Sequence, residues 1–418
     1  MTVVEENQAG DRGPVADAPG ATQRAHSHGG PGVPDASRAA RRTSFDVADF
    51  PLPSGREEDW RFSPTERLGA LFAAGADSGE AVLEVSAPEG VEHRSGATAE
   101  LGAGTAFLPG DRVAAAAWGA TRTAHLVRIR PEAELDEPVL LTLRADGGTS
   151  SGHLVVEAGA HSRATVVLDH VGTGQHRGGV EVRVGDGAQL TFVTLQEWQA
   201  GSVHVGQHDV VVGRDATVKH FAVSLGGDVV RLSTNVRYAA AGGDAQLLGL
   251  YFSDAGQHLE HRLFVDHEPV SCKSYVEYKG ALQGETARAV WIGDVLIRAA
   301  AEGTETYELN RNLVLTDGAR ADSVPNLEIE TGEIVGAGHA SATGRFDDEQ
   351  LFYLQARGIA EAEARRLVVR GFFADVIQRI GVPALQERLL ATIETELQTT
   401  MPAAAGTTTR DAATAEEN

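Results

Sequence analysis

Cysteine is nearly missing from this 418-residue chain: Cys272 is alone, so neither an internal disulfide nor a cysteine-only metal site can form within one copy. A reducing cytoplasm is the compartment this favours. No apolar run approaches the ~20 residues that a membrane-spanning helix needs. Positive charge is also short, with 36 Lys and Arg against 59 Asp and Glu, and a net charge of -23 repels phosphate backbones and anionic lipid. Nucleic acid and membrane are therefore not expected as partners. The opening MTVVEENQAGDRG lacks the basic end and apolar stretch of a signal peptide, so the chain is expected to be soluble and unexported. No Walker-type phosphate loop, nucleophile elbow, HExxH pair or paired-cysteine motif occurs, which removes the common enzyme signatures.

What the chain does have is a recurring turn followed by an extended run. Gly159-Ala160, Gly187-Ala188, Asp215-Ala216 and Asp244-Ala245 return at spacings of 28, 28 and 29. Each opens a run such as SRATVVLDH, QLTFVTLQEW, TVKHFAVSL or QLLGLYFSD, rich in β-branched, aromatic and Leu residues. Asp317-Gly318-Ala319 resembles these turns at wider spacing. A period in this range, carried by strands with no helix between them, predicts a β-solenoid over residues 125–345. An antiparallel sandwich also has short strands and Gly-rich turns, but the even spacing favours the solenoid.

Residues 1–43 are Gly-, Ala- and Pro-rich without apolar periodicity and are expected to form a disordered tail. Residues 44–124 read as a helical and mixed cap, with Leu68, Leu71 and Phe72 spaced for a short helix. After Gly344 the texture turns helical, and a helical domain is expected over 346–400. There Ala364, Leu367, Val368, Gly371 and Phe372 share one predicted face, and Leu385, Leu389, Ile393 and Leu397 share another. Residues 401–418 read as a second disordered tail.

Histidine is the one candidate metal ligand in quantity. His26 and His28 lie in the tail and are set aside. His204 with His208 has i, i+4 spacing and His258 with His261 i, i+3, either of which suits a metal on a helix; on a strand the i, i+4 pair shares one face but lies far apart. They are read as structural or solvent-facing, together with His267. Cys272, near His267 and Lys273, reads as a small buried hydrophobe in preference to a reactive thiol.

Four stretches together resemble the SufB/SufD family, and within it the SufD branch: REEDWRFSP at 56–64, YVEYKGALQGETARAVWIGDVLI at 275–297, ELNRNLVLTDGARADSVPNLEIE at 308–330 and GHASATGRFDDEQLFYLQARGI at 338–359. The resemblance covers about residues 45–400. It implies a mainly β fold, a right-handed parallel β-helix flanked by a small N-terminal helical segment and a C-terminal helical domain. It further implies a non-catalytic cytoplasmic scaffold that pairs with SufB through the β-helix and binds the SufC ATPase through the C-terminal helices. Leu385, Leu389, Ile393 and Leu397 are the expected SufC-facing side chains, and the isolated chain would be a homodimer.

The cargo implied is an iron–sulfur cluster, held transiently and shared with SufB. Where SufB has its cluster-related cysteine this chain has Asn310, and where SufB has a glutamate after the motif histidine it has Ala340. The thiolate and carboxylate that a cluster prefers are thus missing here. His339 matches the SufD histidine implicated at the SufB–SufD interface and is the candidate iron or cluster ligand. Ala337 replaces a cysteine found in many SufD sequences. Two other functions compete: a polysaccharide-acting β-helix enzyme, and a stand-alone metal-binding β-helix protein.

Overall fold

A left-handed residue marks seven successive corners of the coiled chain. Glu132 (φ 61°), His161 (58°), Gly187 (66°), Asp215 (52°), Gly242 (80°), Ser271 (57°) and Gly303 (73°) each precede a corner residue: Ala133, Ser162, Ala188, Ala216, Gly243, Cys272 and Thr304. The amide just past each corner donates to the carbonyl of the corner one coil earlier: Arg163 to Ala133, Gln189 to Ser162, Thr217 to Ala188, Asp244 to Ala216, Lys273 to Gly243 and Glu305 to Cys272. The hydrogen-bond ladder thus runs through the turns, which a stacked coil needs to satisfy its backbone.

The computed structural model describes residues 41–75, 77–345 and 348–400, with backbone alone for 348–350 and 398–400. Both expected tails therefore fall outside the described residues, apart from 41–43. Strands β1 (Ala81–Ser86) and β2 (Val91–Gly96), helix α1 (Arg112–Ala120) and strand β3 (Ala124–Ile129) lead into the solenoid. The long strands β4 (Val139–Ala158) and β5 (Arg163–Val184) bend from one wall to the other. The first wall then stacks β6 (Gln189–Trp198), β8 (Thr217–Ser224), β10 (Asp244–Ser253), β12 (Lys273–Leu282), β14 (Glu305–Val314) and β16 (Gly336–Arg345). The second wall stacks β7 (Val203–Val212), β9 (Val229–Tyr238), β11 (His258–His267), β13 (Arg288–Ile297) and β15 (Arg320–Ile329).

Every ladder within the two walls is parallel, from β5–β6 and β5–β7 through β14–β16 and β13–β15. The fold is a parallel β-solenoid, as the turn spacing predicts, and not a sandwich. Its coils are less regular than the sequence suggests, from 26 residues between Arg163 and Gln189 to 32 between Lys273 and Glu305. Ala188 and Ala216 do occupy equivalent corners. Ala160 falls two residues before its corner at Ser162, and Ala245 lies inside β10 opposite Val218. The Asp317–Ala319 turn belongs to the opposite edge of the coil, where the amide of Arg320 donates to Ala287.

Side chains alternate along each strand, so each wall has a lumen face and an outer face. The lumen is lined by Val, Leu, Ile and Ala near the corner column, including Val166, Leu190, Val218, Leu247 and Val276. Its aromatic rings interlock with glycines. Tyr278 lies over Gly249 and Tyr251 over Gly280, so that a Cβ there would come within 2.1 and 1.9 Å of the facing ring.

The N-terminal segment packs on the outer face of the second wall. Trp60, Leu68, Leu71, Phe72 and Val113 meet Val203, Val205 and Val229. Buried charges complete the contact: Arg177 donates to the carbonyls of Leu71 and Ala73, and Arg231 pairs with Asp111 (2.8 Å) under the Trp60 ring.

Helices α2 (Asp348–Ala356), α3 (Glu361–Gln378) and α4 (Pro383–Thr400) follow β16. The last two cover the outer face of the first wall. Val369, Phe373, Val376 and Ile377 of α3 join Leu389, Ile393 and Leu397 of α4 over Leu195, Phe221, Val223, Leu248 and Leu250. The buried face of α3 is displaced from the one read in the sequence: Ala364 is buried, but Leu367 is exposed and Val369 and Phe373 point inward. With apolar residues on adjacent positions throughout α3, periodicity alone could not choose between neighbouring stripes.

Candidate functional site at the open end of the solenoid

Strands β15 and β16 are the last rungs of their walls, and each has a neighbour on one side only. Both edges therefore present unpaired backbone groups at the same end of the coil, the arrangement by which another chain adds strands. Here β14 and β16 run in register, with Glu308 opposite His339, Asn310 opposite Ser341 and Asn312 opposite Thr343.

His339 lies on the edge strand and is exposed, while Glu308 beneath it is buried. By ladder parity both belong to the lumen side, so the imidazole sits at the rim of the coil. Two residues along the same face, Asn310 is fully buried and donates to the Tyr278 carbonyl and to the Tyr251 hydroxyl, both at 3.1 Å. Tyr251 in turn donates to Asn312 Oδ1 (2.6 Å), and Asn312 Nδ2 donates to Asn310 Oδ1 (2.8 Å) and Ser323 Oγ (2.9 Å). Burial pushes the Tyr251 hydroxyl up, which keeps it a donor. Ser323 stands on β15, so the network ties that edge strand to β14 of the opposite wall just below the rim.

This arrangement offers one exposed nitrogen ligand on a fixed edge, backed by neutral amides and hydroxyls. Ala337 and Ala340 add no donor atom. Among the described residues no three His, Cys, Asp or Glu side chains form a group able to hold a metal ion. The stand-alone metal-binding reading thus finds no ligand set among them.

His170, His176, His204, His208, His220, His261 and His267 are lumenal, whereas His258 is buried on the outer face of the second wall, under the N-terminal segment. His204 Nδ1 is 2.7 Å from Gln196 Oε1, and His208 Nδ1 is 3.0 Å from His220 Nε2. Both are buried, which excludes the solvent-facing half of the sequence reading. His258 bonds Glu260 (3.1 Å), His267 bonds Ser274 (2.9 Å), and His261 stacks on Tyr251. Cys272 is fully buried at its corner, and burial pushes its thiol up, as expected of a small hydrophobe.

Leu385, Leu389, Ile393 and Leu397 lie inside the chain, at 6%, 0%, 1% and 0% exposure. Their face is filled by the solenoid wall, so it presents no surface to a partner. The exposed apolar side chains of this region are instead Phe352, Tyr353 and Leu367. Sequence reasoning also missed Tyr251, Asn312 and Ser323. The available signal was Glu308, Asn310 and Asn312 at alternate positions of one strand, a polar lumen face where apolar residues are the rule.

Residues 141–372 match the family model described as SUF system FeS cluster assembly, SufBD core domain. A Mycobacterium tuberculosis protein described as an iron–sulfur cluster assembly SufBD family protein is 54% identical over 366 residues, covering 85% of this chain and 92% of its own length. A Mycobacterium leprae protein of the same description is 50% identical over 366 residues, covering 85% and 93%. The iron–sulfur cluster assembly protein SufD of Escherichia coli is 26% identical over 243 residues, covering 58% and 57%. Among the described residues no helix is long and apolar enough to cross a membrane. The parallel coil, the histidine on its open rim and these relatives converge: the chain belongs to the SufB/SufD family of iron–sulfur cluster assembly proteins and is SufD-like.

Proposed function

We propose that this chain is the SufD-type, non-catalytic scaffold subunit of a cytoplasmic SUF assembly complex. It pairs with a SufB subunit through the open rungs β15 and β16, and takes part in cluster assembly by offering His339 to iron beside a thiolate supplied by the partner. The cluster is cargo, shared with SufB and not retained by the isolated chain. The observation that supports this reading best is the exposed imidazole on an unpaired edge strand. A partner adding its strands there would satisfy the edge and bring its own ligands to the rim in one step.

The SufC ATPase is assigned to the exposed side of α2 and α3, around Phe352, Tyr353 and Leu367, since the α4 leucines are covered. Co-expression of the full chain with its cognate SufB and SufC tests both contacts. The expected result is one complex that holds iron after anaerobic purification. Separate elution of this chain from both partners would overturn the reading.

A further inference from the structure

The lumen is not apolar throughout. Away from the corner column, polar side chains interrupt the apolar lining (Leu232, Leu263 and Trp291 among it) and form three hydrogen-bonded groups. In the first, Gln196 bridges His170 Nδ1 (3.2 Å) and His204 Nδ1 (2.7 Å), while His176 Nδ1 is 2.9 Å from Ser150 Oγ. The second is the His208–His220 pair. The third is the Tyr251–Asn310–Asn312 network below the rim.

The intervals between these groups are built for hydrogen bonding as well. A cavity of about 40 Å³, lined in part by His170, His176, His204 and His208, joins the first group to the second. That volume admits one or a few water molecules, and its walls supply the two to four polar partners a buried water requires. Gly178 and Gly206 also line it, and a Cβ on either would stand 3.1 Å from the Nε2 of His176 or His204. Between the second and third groups, His220 Nδ1, His261 Nε2 and the Tyr278 hydroxyl are buried without a hydrogen-bond partner among the described residues. The His261 ring lies against both Tyr251 and Tyr278, with centroids at 5.3 and 5.4 Å. Leaving such atoms unsatisfied is costly, and buried polar groups of this kind are normally met by ordered water.

We propose that ordered water occupies these two intervals, and that the completed row relays protons along the solenoid axis between the His170–His176–His204 group and Tyr251 beneath the open rim. Each neutral imidazole accepts a proton on one nitrogen and releases one from the other, so charge is conserved at every ring. The rings and waters then reorient before the next transfer. Burial holds all of these histidines below their ordinary range, which keeps them in the neutral form that both donates and accepts. The relay is intrinsic to this chain and does not depend on the partner assignments above.

Hydrogen exchange on the ¹⁵N-histidine-labelled full chain tests it. The imidazole N–H groups of His208, His220 and His261 are expected to exchange with bulk deuterium at least tenfold faster than the backbone amides of the same three residues. Imidazole protons as slow as those amides would mean a closed, dry lumen and would overturn the proposal. His220→Phe then interrupts the row at one coil. In that variant the exchange rates at His208 and His261 are expected to diverge by tenfold or more, with melting behaviour retained. Unchanged rates on both sides would overturn a continuous relay, and if the variant does not fold the measurement on the unaltered chain decides.

Discussion

His339 and Glu308 are ladder partners on the last two rungs of the first wall, one exposed at the rim and the other buried beneath it. An exposed side chain on an edge strand contributes little to folding, so His339→Ala should change stability by no more than about 0.5 kcal/mol. It removes the one imidazole at the rim. The expected phenotype is a normally melting chain that still co-purifies with its partners, while the iron content of the complex falls severalfold. Normal iron loading in the assembled variant would remove His339 from the site.

The two surfaces of the helical region make opposite predictions. Leu389 is fully buried among Phe373, Ile393 and the solenoid wall, and Leu389→Ala should cost about 2–5 kcal/mol through lost burial and the cavity left behind. Phe352 and Tyr353 are 72% and 56% exposed. The double variant Phe352→Ala, Tyr353→Ala should leave the unfolding curve within about 1 kcal/mol and weaken capture of the ATPase subunit. Denaturant titration and pull-down on the same preparations separate the two effects. Cutting the chain before α2 is a poorer test, since it would uncover Leu195, Phe221, Leu248 and Leu250 on the wall and promote aggregation.

The solenoid was legible because a left-handed corner residue leaves a mark in the sequence when it is Gly or Asp, as at Gly187 and Asp215. Where the same conformation is held by Glu132, His161 or Ser271, no such mark exists, and the reading drifted by two residues at Ala160; at Ala245 the mark was present at Gly242, but the neighbouring Asp244 also reads as a turn residue and shifted the assignment by two. Burial of the α4 leucines was legible as periodicity, but what covers them was not, because the covering residues, from Leu195 to Leu315, are far away in the chain. The rim histidine emerged from the family motif alone. The network under it joins side chains from β10, β14 and β15, a juxtaposition that only the coil register creates.

Cys272 provides a check on the corner packing. Its sulfur is fully buried, 3.5 Å from the Ala240 carbonyl, and burial raises the thiol above its ordinary range. Both effects suppress the thiolate that reacts. Native protein should therefore be modified by a thiol reagent only as fast as the coil opens, whereas denatured protein should take up its single equivalent at once. Rapid modification of the folded chain would show that this corner is not packed as described.

The lumenal histidines make the fold acid-labile in a particular window. Burial lowers His170 and His220 to about 4 and His176, His261 and His267 to about 3, with the like charges of His170 and Arg177 adding to the effect at His176 and the Glu260 carboxylate partly opposing it at His261. In the unfolded chain each would titrate near 6.5. Between these values the unfolded state binds protons that the folded state refuses, so stability falls as pH drops below about 6.5, by up to about 1.4 kcal/mol per pH unit for each histidine. Asp209 acts in the opposite sense. Burial raises it to about 6, so the folded state takes up its proton first and offsets part of the loss. Glu181, bonded to His153 and Arg183 and held at about 2, adds a further loss only below the ordinary carboxylate range. The midpoint of urea unfolding is therefore expected to fall steeply between pH 6.5 and 4, ahead of general carboxylate protonation. Replacing His261 by Phe, which removes one of these groups but keeps an aromatic ring against Tyr251, should flatten that slope. A midpoint that stays level down to pH 4.5 would mean that these rings reach solvent and titrate normally, and the lumen described here would not be their environment.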